Sequence, residues 1–229
     1  MEFYHLLNRG VDKRNIFLSK NDYWRFVHSL FVFNDVKNVD SNNSRYSYSQ
    51  KLLDIGCPVI GGQCKEEREL LVHIHFFCLM PNHYHLLVSP LVENGISLFM
   101  KKVNMGYAKY FNEKYDRSGA LFQGRYRSQH IVKDAHFLWI PYYIHFNPLD
   151  MYMPEWRDRN VKNSKKALEY LESYKWSSHQ DYLGKKNVPS VTQRDFFLES
   201  FGGEKGYTKS IKEQLKAFDT SCVAGLVLE

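Results

Sequence analysis

The sequence lacks the features that mark membrane and secreted proteins. Its longest apolar runs, such as residues 71–79 and 86–92, are far shorter than the about 20 residues that a membrane helix needs. The first five residues, Met1–His5, have neither the positive charge nor the apolar core of a secretory signal. We therefore expect a cytoplasmic protein with no membrane partner.

Several kinds of site are also excluded. The four cysteines, Cys57, Cys64, Cys78 and Cys222, form no C-x-x-C pair, which argues against a zinc ribbon and a disulfide framework and favours free thiols. A two-histidine phosphoesterase would need two separated H-x-[ST] motifs, and the chain contains none. Internal repeats and low-complexity tracts are absent as well.

What is present is enough for a folded, basic protein. The 229 residues are 44% hydrophobic, which suffices for a packed interior. The formal net charge of +6 favours an anionic partner without identifying one. Residues 34–50 are rich in Asn, Ser and Asp and lack periodicity, so they are predicted to be a loop without catalytic residues.

The stretch His73–Pro90 is the centre of the predicted fold. Two runs of apolar, β-branched and aromatic residues flank residues 79–82, where Pro and Asn favour a turn, so the stretch is predicted to be a β-hairpin. Successive side chains in a strand point to opposite faces, so His83 and His85 share one face. Two adjacent imidazoles can bind one divalent cation.

A second pair, His73 and His75, has the same spacing in the first strand of the hairpin. In a register that pairs Cys78 with His83, His75 would lie on the opposite face from His85, but a slip of one residue would reverse this result. The residues alone therefore leave both pairs open as ligands.

A nucleophile and a further ligand are available in the segment 139–148. If this segment is helical up to the residue before Pro148, Tyr143 and Asn147 are four residues apart and share a face. His145 is two residues from Tyr143, so it lies on another face and is interpreted as a surface histidine. Tyr142 and Tyr126 are alternative nucleophiles.

Basic residues recur in three places where they could contact phosphates. Arg9 lies in a polar turn after a short first strand, and Lys101, Lys102 and Lys109 lie on a predicted amphipathic helix over residues 96–115. Residues 121–132 alternate like a strand, which places Arg125 and Arg127 on one face. Each group could equally be a solvated surface.

These motifs together resemble the REP-associated tyrosine transposases, a branch of the single-tyrosine HUH endonucleases. The resemblance is carried by Pro81–Leu87 and Tyr143–Pro148, and by N-R-G at residues 8–10, G-A-L-F-Q-G-R-Y-R-S at 119–128 and W-S-S at 176–178. It implies that His83 and His85 bind the metal, that Tyr143 is the nucleophile, and that Asn147 is the third ligand. It favours this histidine pair over His73 and His75.

The resemblance also implies a fold and a reaction. The fold is an α+β, ferredoxin-like antiparallel sheet with helices mainly on one face, in an HUH catalytic domain at residues 1–149, followed by a tail or small helical subdomain at residues 150–229. The reaction is cleavage and strand transfer of single-stranded DNA at a hairpin or palindromic repeat, with Mg²⁺ or Mn²⁺ as cofactor and a 5′-phosphotyrosine intermediate. The protein would act as a monomer or homodimer.

Two other functions remain open at this point. A catalytically inactive protein of the same fold would bind DNA hairpins without cleaving them. A metal-dependent hydrolase would use the histidine pair to activate water and would release its product without a covalent adduct.

Overall fold

The computed structural model describes residues 1–37, 59–60, 63–64 and 68–219. Most of the predicted loop at 34–50 lies outside these residues, as do Cys57 and Cys222, whereas Cys78 is a buried free thiol. No helix in the described part is long and apolar enough to cross a membrane. The strands and helices, in chain order, are β1 (Phe3–Arg9), α1 (Lys20–Val32), β2 (Val59–Ile60), β3 (Gln63–Cys64), β4 (Val72–Met80), β5 (His83–Pro90), α2 (Gly95–Lys114), β6 (Arg127–Ile131), α3 (Asp134–Phe146), α4 (Ser164–Ser173), α5 (His179–Tyr182), α6 (Asp195–Phe201) and α7 (Gly203–Ala217).

The main sheet has four antiparallel strands in the order β4-β5-β1-β6. With β2 and β3 set aside as a separate short pair, the chain runs β-α-β-β-α-β, and the strand order is that of a ferredoxin-like fold. The predicted α+β class with an antiparallel sheet is therefore confirmed. In β6, only residues 127–131 of the predicted strand 121–132 are extended in the sheet.

Helices cover both faces of this sheet, which corrects the prediction that they lie mainly on one. Helices α1 and α2 pack on the face that carries Leu6, Tyr84 and Leu86. The opposite face, which carries Phe3, Phe76 and Leu87, packs against α3 and the C-terminal helices. The prediction failed because both sides of the sheet carry buried apolar side chains, so both faces require a cover.

The hairpin that carries the candidate histidines is tighter than predicted. Strands β4 and β5 extend to Met80 and from His83, so only Pro81 and Asn82 form the turn. Met80 pairs with His83, and Cys78 pairs with His85. The register considered from the sequence, in which Cys78 pairs with His83, is therefore displaced by two residues.

The predicted sheet face of His75, opposite that of His85, was also wrong, because a β-bulge lies between Ile74 and Phe76. A bulge inserts an unpaired residue and reverses the alternation after it. His75 consequently points to the face of Phe3, where its Nε2 atom is 2.8 Å from the Ser89 hydroxyl and its Nδ1 atom is 3.1 Å from the Gln193 carbonyl oxygen. These two partners indicate a structural role for His75.

The turn beside His83 is fixed from the N-terminal segment. Gly10 donates its backbone N–H to the Asn82 carbonyl oxygen over 2.9 Å, and Ile16 donates to the Pro81 carbonyl oxygen over 2.8 Å. A Cβ atom at Gly10 would lie 2.4 Å from the Arg14 carbonyl oxygen, so only glycine permits this close approach. The first residue of β5 therefore starts from a fixed position.

A buried polar network joins α3 to the C-terminal helices. The Tyr207 hydroxyl lies 2.6 Å from Nδ1 of both His145 and His179, and Nε2 of His145 lies 2.8 Å from the Ser178 hydroxyl. His145 is fully buried, so its interpretation as a surface histidine was wrong. The core on the Phe3 face of the sheet thus contains side chains from both sides of residue 149, where the sequence predicted a domain boundary. That boundary stays a prediction.

The buried histidines are expected to make the protein labile in mild acid. Burial lowers the pKa of His75 and His179 from 6.5 to about 4 and that of His145 well below 6.5. Because the unfolded chain binds these protons first, their contribution to stability is complete above pH 6.5 and is lost as the pH falls toward 4. These three groups contribute up to about 4 kcal/mol per pH unit. The buried His5, His28, His83 and His85, whose pKa values are lowered in the same way, add to this slope.

That slope is large beside a typical unfolding free energy of about 5–15 kcal/mol, so unfolding is expected before pH 4 is reached. Urea unfolding at pH 7.5, 6.5 and 5.5 measures the slope directly. In a His179→Asn variant the slope should decrease by about one proton, or 1.4 kcal/mol per pH unit. Equal unfolding free energies of the wild type at pH 7.5 and 5.5 would contradict the expectation.

Candidate active site

A cavity of about 380 Å³ opens where β1, β5 and α3 meet, on the sheet face opposite α1 and α2. It gathers residues that are far apart in the sequence, and basic and titratable side chains predominate among them. The lining residues are Leu7, Asn8, Arg9, His83, His85, Gln123, Gly124, Arg125, Arg127, Tyr143 and Arg157.

The two histidines of β5 lie side by side in this cavity, as their spacing predicted. Their ring centroids are 5.0 Å apart, and both side chains are largely buried. His73 and His75 do not line the cavity. Of the two pairs, only His83 and His85 lie in the cavity beside Tyr143, and their role as metal ligands stays a prediction.

Each of these histidines is held through its Nδ1 atom. His83 Nδ1 lies 2.5 Å from Asn82 Oδ1, and Asn82 Nδ2 donates in turn to the Lys13 carbonyl oxygen over 3.2 Å. An amide oxygen can only accept, so His83 carries its proton on Nδ1 and presents Nε2 as an acceptor. His85 Nδ1 lies 2.9 Å from His5 Nε2.

The environment keeps both imidazoles neutral at pH 7. Burial, followed by the charge of Arg9, lowers the pKa of His83 to about 4. Burial also lowers the pKa of His85 well below its usual value, with the neighbouring His5 and His83 as further causes. A metal ligand must be a neutral imidazole, so this arrangement suits ligation without competition from protons.

The donor set can be compared with the preferences of candidate ions. The cavity offers two Nε2 atoms, each oriented by a hydrogen bond at Nδ1, which is the usual arrangement of metal-binding histidines. Among the described residues, no group of three or more His, Cys, Asp or Glu side chains forms a metal site. Two imidazoles with an open side fit a divalent ion whose other ligands are water or phosphate oxygens.

Tyr143 projects from α3 into the same cavity. Its ring centroid is 5.5 Å from that of His85 and 5.8 Å from that of His5, with the rings nearly perpendicular in both contacts. The side chain is partly exposed, so its hydroxyl can reach a bound ligand. α3 ends at Phe146, one residue earlier than predicted, and a 3₁₀ helix continues through Pro148 over Asn147–Met151.

The alternative nucleophiles lie elsewhere. The Tyr142 hydroxyl is hydrogen-bonded to Ser210 of α7, on the other side of α3. The Tyr126 hydroxyl lies 3.3 Å from the Ser97 hydroxyl of α2, outside the cavity lining. Of the three tyrosines considered, only Tyr143 lies beside the histidine pair.

Three of the predicted basic residues line the cavity, and three do not. Arg9, Arg125 and Arg127 surround the histidines, and the Nε donor of Arg9 is buried without a hydrogen-bond partner in the described part of the chain. The lysines lie on α2, across the sheet from the cavity. Lys102 donates to the carbonyl oxygens of residues 35–37, Lys109 lies 3.8 Å from Glu113, and Lys101 is exposed.

Asn147 lies behind Tyr143 and does not line the cavity. It is fully buried, its Nδ2 atom donates to the Tyr143 carbonyl oxygen over 2.7 Å, and its Oδ1 atom accepts from Arg157 Nη2 over 3.1 Å. Its role as third metal ligand stays a prediction, and the structure shows the amide engaged at both ends.

Two residues of the site were not identified from the sequence. Arg157 enters the cavity from the 3₁₀ turn Pro154–Asp158, which lies in the predicted C-terminal tail or subdomain. His5 contacts His85 because β1 pairs with β5 in a register that places His5 opposite Leu87. A signal for His5 existed in the alternation of Phe3, His5 and Leu7, but the pairing of distant strands has no local signature.

Comparisons with known proteins agree with the motifs. Residues 58–147 match the model of a family described as IS200-like transposases, a span that includes β5 and Tyr143. This match confirms the resemblance to tyrosine transposases stated from the sequence. A solved REP-associated tyrosine transposase bound to a REP hairpin aligns with 12% identity and a TM-score of 0.43, over 85% of this chain and 86% of that one. Comparison with curated protein sequences finds no significant match.

Proposed function

Because residues 58–147 match the IS200-like transposase family, we propose that the protein is a metal-dependent endonuclease and strand transferase of single-stranded DNA. It acts at hairpins or palindromic repeats through a 5′-phosphotyrosine intermediate. The observation that carries this proposal is the convergence of His83, His85 and Tyr143 on one cavity bordered by four arginines.

Each part of the cavity has a task in this reaction. His83 and His85 would hold Mn²⁺ or Mg²⁺, and the bound ion would polarise the scissile phosphate. Arg9, Arg125 and Arg127 would contact the DNA backbone, for which paired guanidinium donors are well suited. The lysines of α2 are too distant to take part at this cavity, and we propose no role for them there.

The covalent step exchanges one phosphoester for another. The Tyr143 phenol loses its proton to solvent, and its oxygen forms a bond to phosphorus. The bond from phosphorus to the 3′ oxygen breaks, and that oxygen keeps the electron pair and takes a proton from solvent. The products are a 5′-phosphotyrosine and a free 3′-OH, so the reverse reaction with another 3′-OH rejoins DNA without ATP.

Incubation with labelled single-stranded hairpin oligonucleotides and Mn²⁺ tests this function. Denaturing gels should show a protein-linked DNA band that is lost when EDTA is added and is absent with a fully duplex oligonucleotide. Cleavage without a linked band would indicate the water-activating hydrolase. Tight binding without cleavage would indicate the catalytically inactive hairpin-binding protein.

A further inference from the structure

Arg157 is a charged residue that packs against Tyr143. It lies outside the segment that matches the family model, which ends at residue 147. Its guanidinium carbon lies 5.5 Å from the centroid of the Tyr143 ring and 4.9 Å from that of Trp156. Trp156 is nearly fully buried, and its ring centroid lies 6.3 Å from that of Tyr143. The arginine is therefore packed against the same aromatic surface as the candidate nucleophile.

The guanidinium is fixed by acceptors on one side. Nε of Arg157 donates to Asp150 Oδ1 over 2.8 Å, and Nη2 donates to Asp150 Oδ2 over 2.6 Å. Nη2 also donates to Asn147 Oδ1 over 3.1 Å. Asp150 is itself oriented by the Trp156 indole, which donates to its Oδ1 atom over 2.7 Å.

These contacts use three of the five N–H donors and leave the two on Nη1. The side chain is 41% exposed and lines the cavity, so its free edge is accessible to a ligand. A bidentate carboxylate pair of this kind holds a guanidinium in a defined plane, whereas a solvated arginine would be mobile. The fixed orientation suits a positive charge that must already be in place when negative charge develops.

We propose that Arg157 is a further catalytic residue of this site, which contacts the Tyr143 phenolic oxygen and the phosphate it attacks through its Nη1 donors. Asp150 and Asn147 are positioning residues that hold the guanidinium. This inference rests on the proposed function, because it concerns the same covalent step. It also gives residues 150–158 a part in the active site, beyond the predicted catalytic domain.

The chemistry of the step explains why a cation is useful at this position. As the phenolic oxygen gives up its proton and bonds to phosphorus, negative charge passes from that oxygen to the phosphate oxygens. A guanidinium with two free donors can contact the phenolic oxygen and a phosphate oxygen at the same time. It therefore stabilises the negative charge on either oxygen without changing its position. After the step, the same donors would hold the 5′-phosphotyrosine until a 3′-OH arrives.

Single-turnover adduct formation by Arg157→Ala tests the inference, with Arg159→Gln as the matched control. Arg159 lies two residues away and contacts the Phe218 ring instead of the cavity. Arg157→Ala should form the adduct about 10²-fold more slowly. Its Kd for an uncleaved hairpin, measured in a Tyr143→Phe background, should change by less than about threefold, because Arg9, Arg125 and Arg127 remain.

Chemical rescue separates catalysis from folding. Non-denaturing guanidinium chloride should restore part of the rate of Arg157→Ala, whereas equal sodium chloride should not, and Arg159→Gln should behave like the wild type under both conditions. Adduct formation by Arg157→Ala at the wild-type rate would overturn the inference. A slow rate that guanidinium does not restore, with a lowered melting temperature, would overturn it in favour of a structural role. If the wild type forms no adduct, the proposed function fails instead.

Discussion

Replacement of Tyr143 by phenylalanine is expected to abolish the covalent protein–DNA adduct, with a loss of about 10⁴-fold or more in the rate of cleavage. The substitution removes one oxygen atom and leaves the ring contacts with His85 and His5 in place. DNA binding and the thermal stability of the protein should therefore stay close to those of the wild type. The measurement is single-turnover cleavage of a labelled hairpin.

Tyr142→Phe is the matched control for this prediction. It removes the same atom from the neighbouring residue, whose hydroxyl is hydrogen-bonded to Ser210 and does not line the cavity. Adduct formation should continue at nearly the wild-type rate. The opposite pattern, in which Tyr142→Phe is inactive and Tyr143→Phe is active, would contradict the assignment of the nucleophile.

Replacement of His83 or His85 by alanine is expected to have the second-largest effect, a loss of about 10³-fold in cleavage at a fixed Mn²⁺ concentration. Each substitution removes one of the two Nε2 atoms that face the cavity. Affinity for Mn²⁺, measured by isothermal titration calorimetry in the presence of the hairpin, should fall together with the rate. High Mn²⁺ should restore part of the activity of each variant.

His73→Ala is the control for the histidine variants. His73 belongs to the rival pair, lies outside the cavity lining, and its Nδ1 atom has no hydrogen-bond partner in the described residues. Cleavage and Mn²⁺ affinity should be unchanged in this variant. If His73→Ala lost activity while His83→Ala kept it, the metal site would have to be reassigned.

The parts of the fold that depend on local sequence were predictable. The amphipathic helix predicted over residues 96–115 corresponds to α2 at Gly95–Lys114. Strand alternation placed His83 and His85 on one face, whereas the choice of this pair over His73 and His75 and the role of Tyr143 came from the resemblance.

The parts that depend on long-range packing were not predictable in the same way. The bulge at His75 reversed the face of a residue because strand alternation cannot reveal an inserted residue. Arg157 reaches Tyr143 only because the turn after Pro148 brings the chain back across α3, and the buried position of His145 depends on Tyr207, 62 residues further along the chain. Local periodicity contains no information on such contacts.

The most direct test of the central claim is mass spectrometry of the adduct. The wild-type protein is incubated with the hairpin and Mn²⁺, digested with a protease and a nuclease, and the modified peptide is sequenced by fragmentation. The account predicts a nucleotide attached through its 5′-phosphate to Tyr143. A nucleotide on another residue, or cleaved DNA with no modified peptide, would contradict it.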